Sequence, residues 1–171
     1  CVEYTVEAGR PDTVTEEKLY TLKRHNVGRI SINPQTFSDS VLKEIGRKHT
    51  VEDFYKAYKI AKESGIRDIN IDLIAGLPGD DFDKFRRTVD SVLELDPENI
   101  TLHTLTVKRS ANLAGDAQKM LTKTVDEMNE HAFRCFDAAG YYPYYLYRQK
   151  GTVEALENTG FCKPGKEGIY N

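Results

Sequence analysis

Apolar and polar residues alternate with period two in four short stretches of the chain. Val2, Tyr4 and Val6 alternate with Glu3, Thr5 and Glu7; Ile30 and Ile32 alternate with Arg29, Ser31 and Asn33, and Gln35 follows in phase. Ile69, Ile71 and Leu73 alternate with Asn70 and Asp72, and Ile100 and Leu102 with Thr101 and His103. This spacing predicts strands over residues 1–7, 29–34, 68–75 and 99–107, each with one packed face. Between them the period lengthens to that of a helix. Leu19 and Leu22 share a face over residues 15–26, with Thr15 as N-cap, Glu16 and Glu17 in the first turn and Gly28 as stop. Residues 38–45 predict a short helix. Thr50 caps a longer one that uses Phe54, Ala57, Tyr58 and Ala61 and stops at Gly65. Helices over residues 81–95 and 121–139 and a fifth strand over 142–148 complete the pattern; the rest after Gly151, rich in Gly, Lys and Asn, predicts loop.

Regular strand–helix–strand units of this length imply parallel strands with right-handed crossovers. An open doubly wound sheet and a piece of a (β/α) barrel both fit. No repeat, low-complexity run or linker divides the 171 residues, so residues 1–171 are expected to form a single domain. Strands of parallel sheets are usually buried on both sides; here each carries a polar face. With helices over the apolar faces, the polar faces line one concave surface. Burying so many unpaired polar groups costs several kcal/mol, so the surface is wet, internally paired or occupied by a polar ligand. Glu3, Arg29 and Asp72 suit an internal salt-bridge network, which can also support a site. Ligands in α/β folds sit at the carboxyl ends of strands. That selects Glu7, Gln35, Asp72 and the residues after Leu105 over Glu3 and Arg29.

Composition narrows the partners. With 24 Lys and Arg against 27 Asp and Glu, the net charge is -3, which argues against a nucleic-acid binder or a polybasic membrane-surface protein. The longest apolar stretch, residues 141–147, is broken by Pro143 and falls far short of the ~20 residues a spanning helix needs. Cys1, Cys135 and Cys162 form no C-x-x-C pair; they fit a reducing cytoplasm and signal no metal site. Cys135 follows Val125, Met128 and Ala132 at helical spacing, as a buried structural thiol would. His25 and His49 fall at helix ends or loops and suit a helix dipole or solvent; His131 falls mid-helix with no carboxylate or Cys partner at ligand spacing. His103, on a polar strand face, suits an interior hydrogen bond or a ligand contact. Lys108 and Arg109 are loop charges or contacts to an anionic ligand, and the tyrosines between 141 and 147 pack the last strand or stack on a ring.

Three segments carry a family resemblance: Arg29-Ile-Ser-Ile-Asn-Pro-Gln-Thr-Phe, then Ile-Gly-Arg-Lys-His-Thr at residues 45–50, then Ile69-Asn-Ile-Asp-Leu-Ile-Ala-Gly-Leu-Pro-Gly. In this order they resemble the oxygen-independent coproporphyrinogen III oxidase family of radical SAM enzymes. Glu-Ala-Gly-Arg-Pro-Asp-Thr at residues 7–13, Tyr144-Tyr-Leu-Tyr-Arg-Gln-Lys and Lys163-Pro-Gly-Lys-Glu-Gly-Ile-Tyr-Asn look most like its HemZ-type branch, the coproporphyrinogen dehydrogenases. The resemblance implies an α/β fold, a parallel-stranded partial (β/α)6 TIM-like barrel truncated at the N-terminus. It implies S-adenosylmethionine (SAM) across the strand ends, a [4Fe–4S] cluster that cleaves it, and oxidative decarboxylation of a tetrapyrrole, coproporphyrinogen III, in haem biosynthesis. By similarity Glu7, Gln35, Arg47, Asp72 and Thr106 match the family's SAM contacts, and Ile74 and Gly76 lie in its adenine-side motif. Lys108 and Arg109 would then meet the substrate's propionates. No catalytic residue is assigned, and the electron donor stays open.

The family's C-x-x-x-C-x-x-C cluster loop is absent from these 171 residues. The resemblance places it upstream of Cys1, so the polypeptide is expected to hold no cluster and to be inactive by itself. Its first strand becomes a free edge through which it is expected to self-associate. A haem-binding or haem-trafficking relative of the same superfamily is the alternative reading. An unrelated barrel lyase or aldolase using Glu7, Asp72 and His103 is a third, but no Schiff-base Lys or metal cluster is evident for it.

Overall fold

The computed structural model describes residues 3–105, 115–148 and 157–169. Strands β1 (Thr5–Gly9), β2 (Arg29–Gln35), β3 (Asp68–Ala75) and β4 (Asn99–Thr104) run parallel, each paired with the next. Helix α1 (Glu16–Arg24) joins the first two, α2 (Asp39–Glu44) and α3 (Val51–Glu63) the next, and α4 (Phe82–Leu95) precedes β4. Helix α5 (Gly115–Ala138), β5 (Tyr142–Arg148) and β6 (Glu157–Cys162) follow.

The helices begin where their caps predict. Thr15 Oγ1 accepts from the Lys18 amide at 3.3 Å, and Asp81 Oδ1 from the Lys84 amide at 2.8 Å. Thr50 and Asp53 form a reciprocal capping box, with bonds of 2.9 and 3.1 Å. The apolar strand faces pack under the helices: Ile30, Ile32, Ile69, Ile71, Leu73 and Ile100 are fully buried with Phe54, Phe85 and Phe136. Each such side chain contributes about 1.5–3 kcal/mol, so the helix side of the sheet holds the fold and the other side is left for chemistry.

The sheet is six-stranded, in the order β1-β2-β3-β4-β6-β5, and is not closed: β1 and β5 are its edges among the described residues. The partial parallel barrel expected from the resemblance is present in β1 to β4. The tail after Gly151 is not all loop, however. Its residues Glu157–Cys162 form β6, which pairs antiparallel with both β4 and β5. Little in the local sequence predicts that strand, because Gly160 and Asn158 are poor strand formers. The open edge of β4 supplies the ladder, so tertiary context decides the conformation.

Beyond β6 the chain runs under the amino ends of the parallel strands. Arg29, at the start of β2, is only 6% exposed. Its Nη2 donates to the carbonyls of Lys166 and Glu167, both at 3.0 Å, and its Nε lies 3.6 Å from a Glu3 carboxylate oxygen. Asn99 Nδ2 donates to the same Lys166 carbonyl at 2.7 Å, and Lys166 Nζ to Asp68 Oδ1 at 2.6 Å. The Glu3–Arg29 pair expected from the sequence is therefore real, but Asp72 is not part of it. Arg29 opens β2 and Asp72 lies near the far end of β3, so the tail's carbonyls, not a third side chain, complete the arginine.

Candidate active site

The polar faces of β1 to β4 meet in one cleft of about 220 Å³, into which Tyr144 and Tyr145 also face. A larger hollow, about 660 Å³, runs between β1 and α1, but its walls are mostly apolar side chains and surface charges. Only the first collects converging carboxylate, amide and imidazole groups.

The strand register brings those groups into contact: Glu7 is paired with Ser31, Ser31 with Asn70, and Asp72 with Thr101. Thr101 Oγ1 donates to Asn70 Oδ1 at 3.0 Å. Asn70 Nδ2 donates to Asp72 Oδ1 at 2.6 Å and to Ser31 Oγ at 3.0 Å. Ser31 Oγ donates to Asn33 Oδ1 at 2.8 Å, and Asn33 Nδ2 donates to Glu7 Oε1. His103 Nε2 lies 3.5 Å from Asp72 Oδ2. One hydrogen-bonded chain thus crosses four strands and fixes Glu7 at the middle of β1 and Asp72 in the carboxyl-terminal half of β3. Burial pushes the Glu7 carboxyl above its ordinary range; the Asp72 charge adds to this, while Asn33 and His103 oppose it.

The other expected site residues fall around this network rather than in it. Gln35 does not continue the β2 alternation in phase. The ladder slips between Ile32 and Gln35, and Gln35 is buried at φ 72°. Pro34, which has no amide to give to the ladder, accounts for the slip. A left-handed residue other than glycine costs about 1–2 kcal/mol, and here the following loop is held in place. Thr88 Oγ1, on α4, accepts from the Phe37 amide at 3.0 Å and meets Thr36 Oγ1 at 3.2 Å.

Arg47 leaves α2 through a Schellman turn. Gly46 is left-handed at φ 73°, its amide bonds Lys43 O at 3.1 Å, and the Arg47 amide bonds Leu42 O at 2.8 Å. Its guanidinium makes no hydrogen bond or ion pair among the described residues. His49, expected to suit solvent or a dipole, is instead 2% exposed, with Nε2 3.3 Å from the Pro34 carbonyl; burial holds its pKa below the ordinary value. Thr106, Lys108 and Arg109 lie outside the described residues.

Ile74 is half-buried and paired with His103. Gly76 has φ 84°, and a Cβ there would lie 2.7 Å from Val125 Cγ2 on α5 and 3.4 Å from Leu105 O. The Gly-Leu-Pro-Gly stretch is therefore at least a turn that lets α5 approach β3. Gly76→Ala is expected to destabilise the protein by about 2–4 kcal/mol, from the left-handed φ and the overpacking together. The urea midpoint checks this.

Among the described residues no group of three His, Cys, Asp or Glu could hold a metal ion. His131 does have a Cys partner, contrary to the sequence expectation: Cys135 Sγ lies 3.6 Å from its Nε2, one helical turn on. Burial raises the Cys135 thiol pKa and pushes that of Cys162 up to about 11, so neither offers a ready thiolate. The described residues do not fit an iron–sulfur cluster.

Residues 2–92 match the model of the Radical SAM superfamily. Over 99% of its length the chain is 46% identical to the oxygen-independent coproporphyrinogen-III oxidase-like protein HemZ of Bacillus subtilis, and covers 34% of that protein. It is 32% identical, again over 99% of its length, to the heme chaperone HemW of the same organism, covering 42% of it. In structure it resembles coproporphyrinogen III oxidase (HemN) from Escherichia coli, with a TM-score of 0.70 at 21% identity over 95% of this chain and 36% of that one. The chain thus spans about a third to two-fifths of these relatives.

Proposed function

The chain belongs to the radical SAM superfamily, and on that premise we propose that its protein is an oxygen-independent coproporphyrinogen III oxidase of haem biosynthesis. The observation that supports this most is the cleft network that fixes Glu7 and Asp72 on the shared polar face of the strands. Carboxylates so placed suit the hydroxyls of a ribose, and the unengaged Arg47 fork suits the carboxylate of an amino acid. Together with Gln35 they fit SAM, which supplies the radical chemistry of this superfamily when bound. Asn33 and Asn70 hold Glu7 and Asp72 in place, His103 meets Asp72 from β4, and the tail is bonded across the opposite end of the sheet. Ile74 and Gly76 fit the adenine side, and Thr106 a further contact. The cluster ligands are assigned to the part of the protein outside these residues, as is the electron donor's docking site.

The HemW likeness favours a second reading, a haem-delivering protein without oxidase activity. One experiment separates the two. The full-length protein is reconstituted anaerobically with iron and sulfide, and 5′-deoxyadenosine is quantified with and without coproporphyrinogen III. The oxidase reading expects release stimulated by substrate. A formed cluster with tight haem binding and no substrate-dependent cleavage would overturn it in favour of haem delivery.

A further inference from the structure

Two consecutive residues of β5, Tyr144 and Tyr145, both line the cleft. In a regular strand successive side chains point to opposite faces. Here the ladder between β5 and β6 slips between Pro143 and Tyr145, and the bulge turns both tyrosines inward. Bulges of this kind re-aim side chains beside active sites. The rest of the tyrosine group behaves otherwise. Tyr141 is buried and donates to the Pro97 carbonyl at 2.6 Å, so it packs, while Tyr147 is exposed.

A second feature serves the same placement. β6 separates β5 from β4, and Gly160 is the β6 residue in register with Tyr145 on one side and Thr101 on the other. Its backbone is not in the left-handed region, so glycine is not needed there for conformation. It is needed for room: a Cβ would lie 3.2 Å from Tyr144 Cε1 and 3.2 Å from Tyr145 Cβ. The Tyr144 ring therefore lies across the β6 backbone, reaching toward β4 and the cleft. Pairing β5 to β6 requires neither the bulge nor the missing side chain, and both act to set this ring.

We infer that Tyr144 and Tyr145 form an aromatic wall on which one flat, neutral ring of the substrate stacks, a pyrrole ring of a tetrapyrrole. This rests on the oxidase reading above and assigns the substrate side of the same site. The other walls are charged or hydrogen-bonding groups (carboxylate, guanidinium, hydroxyl, amide and imidazole), so the tyrosines are the surface that recognises an uncharged ring through offset or edge-to-face contact. At about 220 Å³ the cleft is smaller than the ~300–1,000 Å³ that encloses a drug-sized ligand. It takes one ring of a macrocycle at its edge, not the whole.

The test uses the full-length protein and coproporphyrin III as a fluorescent probe, with SAM binding followed in parallel by equilibrium dialysis. The double variant Tyr144→Leu, Tyr145→Leu is expected to bind the porphyrin about tenfold more weakly, with SAM binding unchanged. Tyr144→Phe, which keeps the ring, is expected to bind like the wild type. Gly160→Ala, which keeps both tyrosines but displaces Tyr144, is expected to weaken the porphyrin alone. Wild-type porphyrin affinity in the leucine variant overturns the wall, as does a parallel loss of SAM binding, which marks a structural role. Failure of Tyr144→Phe overturns stacking by assigning the effect to the hydroxyl. A wild type that binds no porphyrin overturns the wall, while the oxidase reading is decided separately by substrate-stimulated release of 5′-deoxyadenosine.

Discussion

Arg29→Met is expected to destabilise the fold by about 3–5 kcal/mol, the range for breaking one side of a buried ion pair. The Arg29 side chain is 8% exposed and its Glu3 partner 14%, so solvent does little to compensate either. The substitution also takes a donor away from two carbonyls, those of Lys166 and Glu167. Asn99 would still donate to the Lys166 carbonyl, and Lys166 Nζ would keep its pairing with Asp68. The loss should therefore have a local signature as well as a global one: residues 163–169 become sensitive to protease at denaturant concentrations that leave the sheet intact. Arg29→Lys keeps the charge but not the fork that serves two carbonyls and a carboxylate, and should fall between. Adding Glu3→Leu to the methionine variant removes the buried charge that Arg29 balanced, but also the acceptor of the Thr5 hydroxyl and the Ile169 amide, and should recover only part of the loss. Urea midpoints for the four proteins decide the matter, and a methionine variant as stable as the wild type would mean that the tail is held by something else.

That role for the tail illustrates what the sequence alone leaves unread. β3 and β5 run over the residues the spacing predicts, and α4 begins and ends within a residue of expectation. In β3 and α4 a strong period and a capping or turn residue agree, whereas β5 is marked by its run of tyrosines after Gly140. The polar strand faces were equally legible, because a period of two assigns every second side chain to the same surface. What stayed hidden depended on partners far away in sequence or on backbone groups. β6 forms because β4 offers an edge. Arg29 is completed by main-chain carbonyls 137 and 138 residues away, which no pattern of side chains announces. Gln35 leaves the alternation at a proline, and the two tyrosines share a face only because of a bulge. Sequence periodicity assumes an unbroken ladder, and it fails where the ladder slips, here on both sides of the cleft.

Glu7→Gln is expected to weaken SAM binding by the full-length protein about 10–100-fold at neutral pH and, in the same variant, to stabilise the ligand-free fold. The first effect follows if Glu7 accepts from a ribose hydroxyl, since hydrogen bonds to charged groups contribute about 1.5–3 kcal/mol. The second follows from the cleft itself. Desolvation and the nearby Asp72 charge raise the Glu7 pKa above its ordinary value. A carboxyl whose folded pKa is raised holds its proton more tightly when folded, so its ionisation opposes folding as pH rises through the window above the ordinary ~4.3. An amide keeps the acceptor that Asn33 Nδ2 uses and removes the charge, so this penalty disappears. The pH profiles should separate accordingly. Wild-type SAM affinity should fall as pH drops, beginning above the range of an ordinary carboxylate, because protonation takes away the charge that the ligand needs. The variant should lack that step. Asp72→Asn, which removes the second carboxylate charge, 3.5 Å from His103, should also bind SAM more weakly. Opposite signs for affinity and stability in one substitution are hard to produce by misfolding, which lowers both. A Glu7→Gln protein that binds SAM as the wild type does would confine Glu7 to the internal network and leave Asp72 as the carboxylate on which the site depends.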